Sequence, residues 1–403
     1  MKKLLQINVT ANSGSTGRIA EGIGKQAMAN GWQSFIAYGR KAIPSESQLI
    51  QIGSKKDYLV HGVFSRVFDN HGLMSQKATK TFIKQIDDIQ PDIIHLHNIH
   101  GYYLNYPLLF EYLSACKSKV VWTLHDCWGF TGHCSYFDYI GCNKWLTECN
   151  NCPQKKSYPK SFIFDRSRKN FQDKKHYFLL PEKISIVTVS NWLGEKAKAS
   201  FLKKYPIRTI YNGVNIEKFR PFDTKAVAKK YGIEKYKVLL GVASVWETRK
   251  GLTDFCELAR IIPDDMRIML VGLTEKQSLG LPEKIIPVPR TESTEELAAL
   301  YTVAKVVLNL SYEETFGMTT VEGLLCGTPG IVYDRTASPE LIENKSIGRI
   351  VQAGNIDGVL QEIYSLLQEP EENYLSRCRE YAISRFSEKN SYQKYIDLYE
   401  ELI

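Results

Sequence analysis

Seven residues separate Glu314 from Glu322 in the stretch Glu314–Thr315–Phe316–Gly317–Met318–Thr319–Thr320–Val321–Glu322. The run before them, 305–310, reads as a buried strand, and the run after them, 320–326, as the body of a helix. Phe316, Gly317, Met318 and Thr319 then fall at a strand-to-helix turn. The N–H groups of such a turn lack intrahelical acceptors and the helix dipole is positive there, so an anion such as a diphosphate is favoured. Glu314 precedes the helix and Glu322 lies inside it, so the two carboxylates address different parts of one elongated ligand. Carboxylates accept hydrogen bonds from sugar hydroxyls without competing for a phosphate. The pattern suits a polyhydroxylated, phosphate-bearing molecule.

Ser311–Gly317, followed by Glu322–Gly323–Leu324–Leu325–Cys326–Gly327–Thr328–Pro329, resembles the signature of the family 4 retaining glycosyltransferases of GT-B fold. The resemblance implies that Glu314 meets the donor sugar and Glu322 the ribose hydroxyls of a nucleotide-sugar donor. Gly241–Leu252 is similar to the family's basic loop, with Lys250–Gly251 kept. Ser244 or Val245 stands where the family has an arginine, and Arg249 is the substitute cation. Lys250 and Arg249 would neutralise the leaving diphosphate as negative charge develops on it. His125, in His125–Asp126, closes a predicted strand and corresponds to the family histidine that contacts the donor sugar; His97 and Asn98 close another and would line the acceptor side. Gly14 and Gly17 lie in the loop after the first strand, where glycine lets the backbone approach a phosphate or sugar. Neither a full dinucleotide fingerprint nor an acidic ribose-binding residue accompanies them. There is no Asp-x-Asp triplet, which argues against the metal-dependent class. Catalysis is expected to need no cofactor, and no nucleophile is assigned.

The elements that must position these residues alternate between strand and helix throughout. Predicted strands are 3–9, 34–37, 93–96, 120–124 and 184–189, and then, after a restart, 237–243, 267–271, 305–310 and 330–333. This is an α/β pattern of two doubly wound, Rossmann-like domains with a ligand cleft between them. We place an acceptor-side domain at 1–211 and a nucleotide-sugar-binding domain at 212–385. The switch lies near Tyr211–Pro221, which resembles the family's interdomain segment except that Asn215 replaces an aspartate. The resemblance implies that a C-terminal helix, about 386–403, packs back on the first domain.

The composition, with 52 Lys and Arg against 44 Asp and Glu, gives a formal charge of +8. That balance admits nucleic acid, anionic membranes or phosphorylated ligands, but no nucleic-acid-binding signature is present. The apolar N-terminal run is broken at Gln6 and Asn8 and no cleavage site follows. It reads as a first strand, which places the protein in the cytoplasm. An insert at about 127–152 holds Cys127, Cys134, Cys142, Cys149 and Cys152. Cys134, Cys142, Cys149 and Cys152 could hold a structural zinc; thiols packed in a small core and a redox pair are the alternatives. In 154–178, eight Lys and Arg accompany two acidic residues, and aromatics recur at Tyr158, Phe162, Phe164, Phe171, Tyr177 and Phe178. This stretch is either a solvated basic face or a peripheral contact with the anionic inner face of the cell membrane.

Together these features are read as a hexosyl-type retaining glycosyltransferase that uses a nucleotide sugar. The Cys-rich insert resembles one found in a subset of bacterial members of that family associated with surface polysaccharides, which implies a glycan or lipid-linked oligosaccharide acceptor in bacterial surface polysaccharide synthesis. The rivals are a sugar-nucleotide epimerase of the same fold and a non-catalytic nucleotide-sugar-binding protein.

Overall fold

The computed structural model describes residues 1–403, the side chain of Glu371 excepted. The chain divides into two compact units, one of Met1–Tyr211 with Ser391–Ile403, the other of Asn212–Asn390. Among the described residues no helix is long and apolar enough to cross a membrane.

The first unit is built on seven strands: β1 (Lys3–Ala11), β2 (Gln33–Ala42), β3 (Gln48–Gln51), β4 (Ile93–Leu96), β5 (Lys119–Leu124), β6 (Ile184–Thr188) and β7 (Ile207–Thr209). They pair in the order β3-β2-β1-β4-β5-β6-β7, every pair parallel. The second unit has six: β8 (Lys237–Val242), β9 (Met266–Val271), β10 (Ile285–Val288), β11 (Ala304–Asn309), β12 (Gly330–Tyr333) and β13 (Gly348–Val351). Their order is β10-β9-β8-β11-β12-β13, again all parallel.

Both sheets are doubly wound and reverse direction once, between β1 and β4 in the first and between β8 and β11 in the second. At such a reversal the loops leaving two neighbouring strands diverge to opposite faces, and a crevice opens at the carboxyl ends. Topology therefore nominates the loops after β1 and β4, and after β8 and β11, before any side chain is considered. The central strands are apolar and buried on both faces, as helix-covered parallel strands must be.

The core of the first unit is closed by two helices. Gly14–Ala29 contributes Ile19, Ile23 and Ala27, and Glu388–Leu402 contributes Tyr392, Tyr395, Ile396, Leu398 and Tyr399. Both meet Leu4, Ile93, Val121 and Val187 of the sheet. The terminal helix also supplies Tyr399, whose hydroxyl lies 2.6 Å from His95 Nδ1. At about 1.5–3 kcal/mol for each fully buried large side chain, those five residues contribute about as much as the whole stability of an ordinary domain. Ending the chain at Ser387 should therefore leave the first unit unfolded, seen as loss of its cooperative thermal transition. A truncated protein melting within a few degrees of the full chain would contradict this packing account.

Candidate active site

In the second unit the site is assembled where β8 and β11 diverge. After β8 the chain runs into the short turn Thr248–Lys250 and then Gly251. Gly251 adopts φ +71°, and a Cβ there would lie 2.1 Å from the carbonyl oxygen of Leu310. Only glycine lets this turn press against the end of β11. Two further bonds close the contact: Tyr312 N–H donates to Arg249 O at 2.8 Å, and Arg249 Nη1 to Glu313 O at 2.9 Å.

This clasp brings Lys250 Nζ onto Glu314 Oε1 as a hydrogen-bonded ion pair. Both side chains are largely buried, 16% and 13% exposed. Burial disfavours the Lys250 cation and, despite Glu314, holds its ammonium below the ordinary lysine range. Burial likewise opposes ionisation of Glu314, but Lys250 and then Arg249 outweigh it and hold the carboxyl low. The Arg249 guanidinium also pairs with Glu247 at 3.2 Å, so it acts both as a clamp on the loop and as a second positive charge near Glu314.

The turn at Phe316–Gly317 opens the helix Met318–Leu325. Gly317 sits at φ +104°, with its missing Cβ facing Leu341 and Asn309. Met318 and Thr319 occupy the first turn, where amides lack intrahelical acceptors. A polar chain ties this helix to Glu314. Asn309 Nδ2 donates to Thr320 Oγ1 at 3.1 Å; Ser311 Oγ lies 2.6 Å from Asn309 Oδ1 and 3.2 Å from Glu314 Oε1. On the helix, Glu322 accepts from the fully buried Tyr301 hydroxyl at 2.8 Å. Burial and the Glu322 charge push the Tyr301 phenol well up, so it remains a donor. Tyr301, Ser311, Asn309 and Asp254, which accepts from Tyr312 and Tyr333, were not anticipated from sequence. For Asn309 and Ser311, polar residues at and just past the end of the apolar strand Ala304–Asn309 were the available signal; Tyr301 and Asp254, inside helices, gave none.

In the first unit the residues gather where β1 and β4 diverge. Gln6 Nε2 donates to Ala20 O at 2.7 Å, leaving Oε1 to face His97 Nε2 at 3.0 Å. His97 Nε2 therefore carries the proton and Nδ1 the lone pair. His97 Nδ1 lies 3.1 Å from His125 Nε2, so His125 is protonated on Nε2. Burial pushes His97 well below the usual histidine range and His125 down to about 4 against the pull of Asp126. Both rings are neutral at physiological pH. Asn8 extends the scaffold, donating to Thr16 Oγ1 at 3.2 Å and accepting from Asn98 N–H.

The glycine loop differs from its expected form. The helix begins at Gly14 rather than after Gly17. Gly14 has φ +70° with open space at its Cβ position, whereas Gly17 packs on Thr10, whose Oγ1 would lie 2.7 Å from a Cβ. Gly14 is thus the open backbone position, and Gly17 serves helix–strand packing.

In the insert, Cys134 and Cys149 are buried and Cys142 and Cys152 half-buried. Cys134 hydrogen-bonds to Cys152, which lowers the Cys152 thiol, and Cys149 accepts from Gly132 N–H at 3.2 Å. Among the described residues no group of three or more His, Cys, Asp or Glu is placed to hold a metal ion. Beneath them the buried Lys174 donates to Trp128 O and Thr131 O.

Residues 17–218 match the family described as Glycosyltransferase Family 4, half of the chain, and residues 223–385 match Glycosyl transferases group 1. The chain belongs to the family 4 glycosyltransferases. This glycosyltransferase is 28% identical over 192 residues to the colanic acid biosynthesis glycosyl transferase WcaC of Escherichia coli (strain K12), covering 43% of this chain and 45% of that one. It is 24% identical over 209 residues to N-acetyl-alpha-D-glucosaminyl L-malate synthase of Bacillus anthracis, covering 49% and 54%. It thus spans about half the length of these curated relatives. The solved structure of Anabaena Alr3699/HepE in complex with UDP superposes over 100% of both chains at TM-score 0.68 and 14% identity. That likeness shows the shared GT-B fold.

If Glu322 receives ribose hydroxyls, Glu322→Gln should weaken nucleoside diphosphate binding by about 1–3 kcal/mol, the range for a charged hydrogen bond. Tyr301→Phe removes only the donor that orients the carboxylate and should cost less, about 0.5–1.5 kcal/mol. Titration calorimetry showing unchanged affinity in both variants would remove the role.

Proposed function

We propose that this glycosyltransferase moves a hexosyl group from a nucleotide-sugar donor to a glycan or lipid-linked acceptor, with retention of anomeric configuration and without a catalytic metal. The observation that carries the reading is the buried Lys250–Glu314 pair, tied through Ser311, Asn309 and Thr320 to the helix that opens at Gly317. As the bond between the anomeric carbon and the diphosphate breaks, negative charge grows on the leaving oxygens. Lys250, Arg249 and the first-turn amides of Met318–Leu325 meet it with fixed positive charge, so little reorganisation is needed at the moment of reaction. Glu314 takes donor-sugar hydroxyls, Glu322 the ribose, and His125 contacts the donor sugar. UDP in the Anabaena protein supports a nucleotide-sugar donor, and the name of the Escherichia coli relative supports surface polysaccharide synthesis. Peripheral contact with an anionic membrane through 154–178 would bring the enzyme to a lipid-linked acceptor.

Incubation with UDP-, GDP-, ADP- and dTDP-hexoses should give slow release of one nucleoside diphosphate. NMR of the freshly freed sugar should show the donor's anomeric configuration. Isomerised nucleotide sugar would instead indicate an epimerase, and no turnover of any donor a non-catalytic binder.

A structural zinc on Cys134, Cys142, Cys149 and Cys152 remains a proposal that would need the four thiols to draw together, since among the described residues no group of three or more ligands is gathered. Purified protein should then contain about one equivalent of zinc by elemental analysis, lost in Cys149→Ser. Metal-free protein that is folded and active would remove this proposal.

A further inference from the structure

The helix Lys55–Phe68 is built inside out. A helix on a globular surface turns its apolar stripe to the core and its polar residues to water. Here the buried residues are His61, Gly62 and Ser65, while Leu59, Val60, Val63, Phe64 and Phe68 are exposed, Leu59 by 67%. Intervals of four link Leu59 to Val63, and Val60 to Phe64 to Phe68, so they form one stripe. The orientation is fixed from beneath. His61 Nδ1 lies 2.8 Å from Ser75 Oγ, and its Nε2 accepts from Gly72 N–H at 3.0 Å.

A second element enlarges the stripe. Phe162 N–H donates to Arg66 O at 2.7 Å and Phe164 N–H to Val67 O at 3.1 Å. The rings of Phe68 and Phe164 stack with centroids 5.6 Å apart. Phe162, Ile163 and Phe164 all face water, Ile163 by 62%. Eight large apolar side chains are therefore displayed by two segments locked together. An exposed patch of this kind marks an interaction site.

The surround is basic. Lys55 and Lys56 begin the helix and are exposed. Lys155 Nζ donates to Ile163 O at 3.0 Å, beside the loop. A recess next to Phe68 and Phe164 is lined by Arg166, Arg168 and Lys169 and by Asp165; Arg166 and Lys169 pair with Asp173 and Arg168 with Glu148, so the unbalanced positive charge of this face comes from Lys55, Lys56 and Lys155. The Asp165 carboxylate accepts from the Cys152 and Ser167 amides. Asp57, the acid on the helix itself, is engaged in the capping box with Ser54.

We propose that this face docks on an anionic lipid bilayer. The aromatic and aliphatic side chains enter the boundary between headgroups and acyl chains, and the basic surround meets the lipid phosphates. A second copy of this chain fits less well, because a two-fold contact would set basic surround against basic surround. The proposal deepens the lipid-linked-acceptor reading by naming the surface that reaches the membrane, and it rests on that reading for its purpose.

The test is flotation of the full-length protein with phosphatidylglycerol-containing and with pure phosphatidylcholine vesicles. Wild type should float with the former. Leu59→Ser/Val63→Ser/Ile163→Ser should lower partitioning at least tenfold while leaving the melting temperature and nucleoside diphosphate affinity unchanged, since all three side chains are more than half exposed and none belongs to the Phe68–Phe164 stack. Lys55→Gln/Lys56→Gln should lower it about fivefold per lysine at low salt and far less in 1 M salt, where the Debye length is about 3 Å. Wild type that fails to float, or an apolar variant that floats as wild type does, would overturn the proposal. So would light scattering that shows a dimer which the apolar variant converts to a monomer. Nucleotide-sugar hydrolysis assayed without vesicles reports on the enzymatic reading alone, so the two can fail separately.

Discussion

Everything in the second unit's site depends on one contact, the turn at Lys250–Gly251 pressed against the end of β11. Two ionised side chains are costly to take from water unless each gains a partner and further hydrogen bonds. Lys250 and Glu314 meet that condition because the backbone around them is fixed first. The carbonyl of Leu310 occupies the space a side chain at 251 would need, and the bonds from Tyr312 and Arg249 hold the loops in register. Asp254, accepting from Tyr312 and Tyr333, braces the same loop from below. The ion pair is thus a product of backbone geometry, oriented before any ligand arrives.

The first unit uses a different device, neutral side chains whose tautomers are set in sequence. A backbone carbonyl orients Gln6, Gln6 sets the proton on His97, and His97 sets it on His125. Burial keeps both rings uncharged. The two units share a topology and a position for their chemistry, and differ in whether the site is ionic or neutral.

The central strands were legible in the sequence because burial on both faces writes a continuous apolar run. The four strands not foreseen, β3, β7, β10 and β13, are the four sheet edges. An edge strand is covered less and is shorter, and β3 (QLIQ) is mostly exposed. Its register comes from its neighbour, which local sequence does not encode. Glu314, Glu322 and Lys250 were legible because their surroundings resemble a known signature; the buried tyrosine that orients Glu322 was not, since Tyr301 looks like any helix-face aromatic. Gln6 and Asn8 were read only as interruptions of an apolar strand, yet these two buried polar residues support His97 and Asn98. The inverted helix Lys55–Phe68 was overlooked for the converse reason: apolar residues four apart spell a core stripe, and only the fold shows which way the stripe faces.

The central claim is that Lys250 and Glu314 act as a single unit in catalysis. The measurement that tests it most directly is a double-mutant cycle of Lys250→Met, Glu314→Gln and the combination, read as turnover of the nucleotide sugar. Each single variant should lose about 10²–10³-fold, and the double variant should be little worse than the poorer single, because removing one partner already disables the other. Losses that multiply, or a Lys250→Met enzyme with wild-type turnover, would contradict the account.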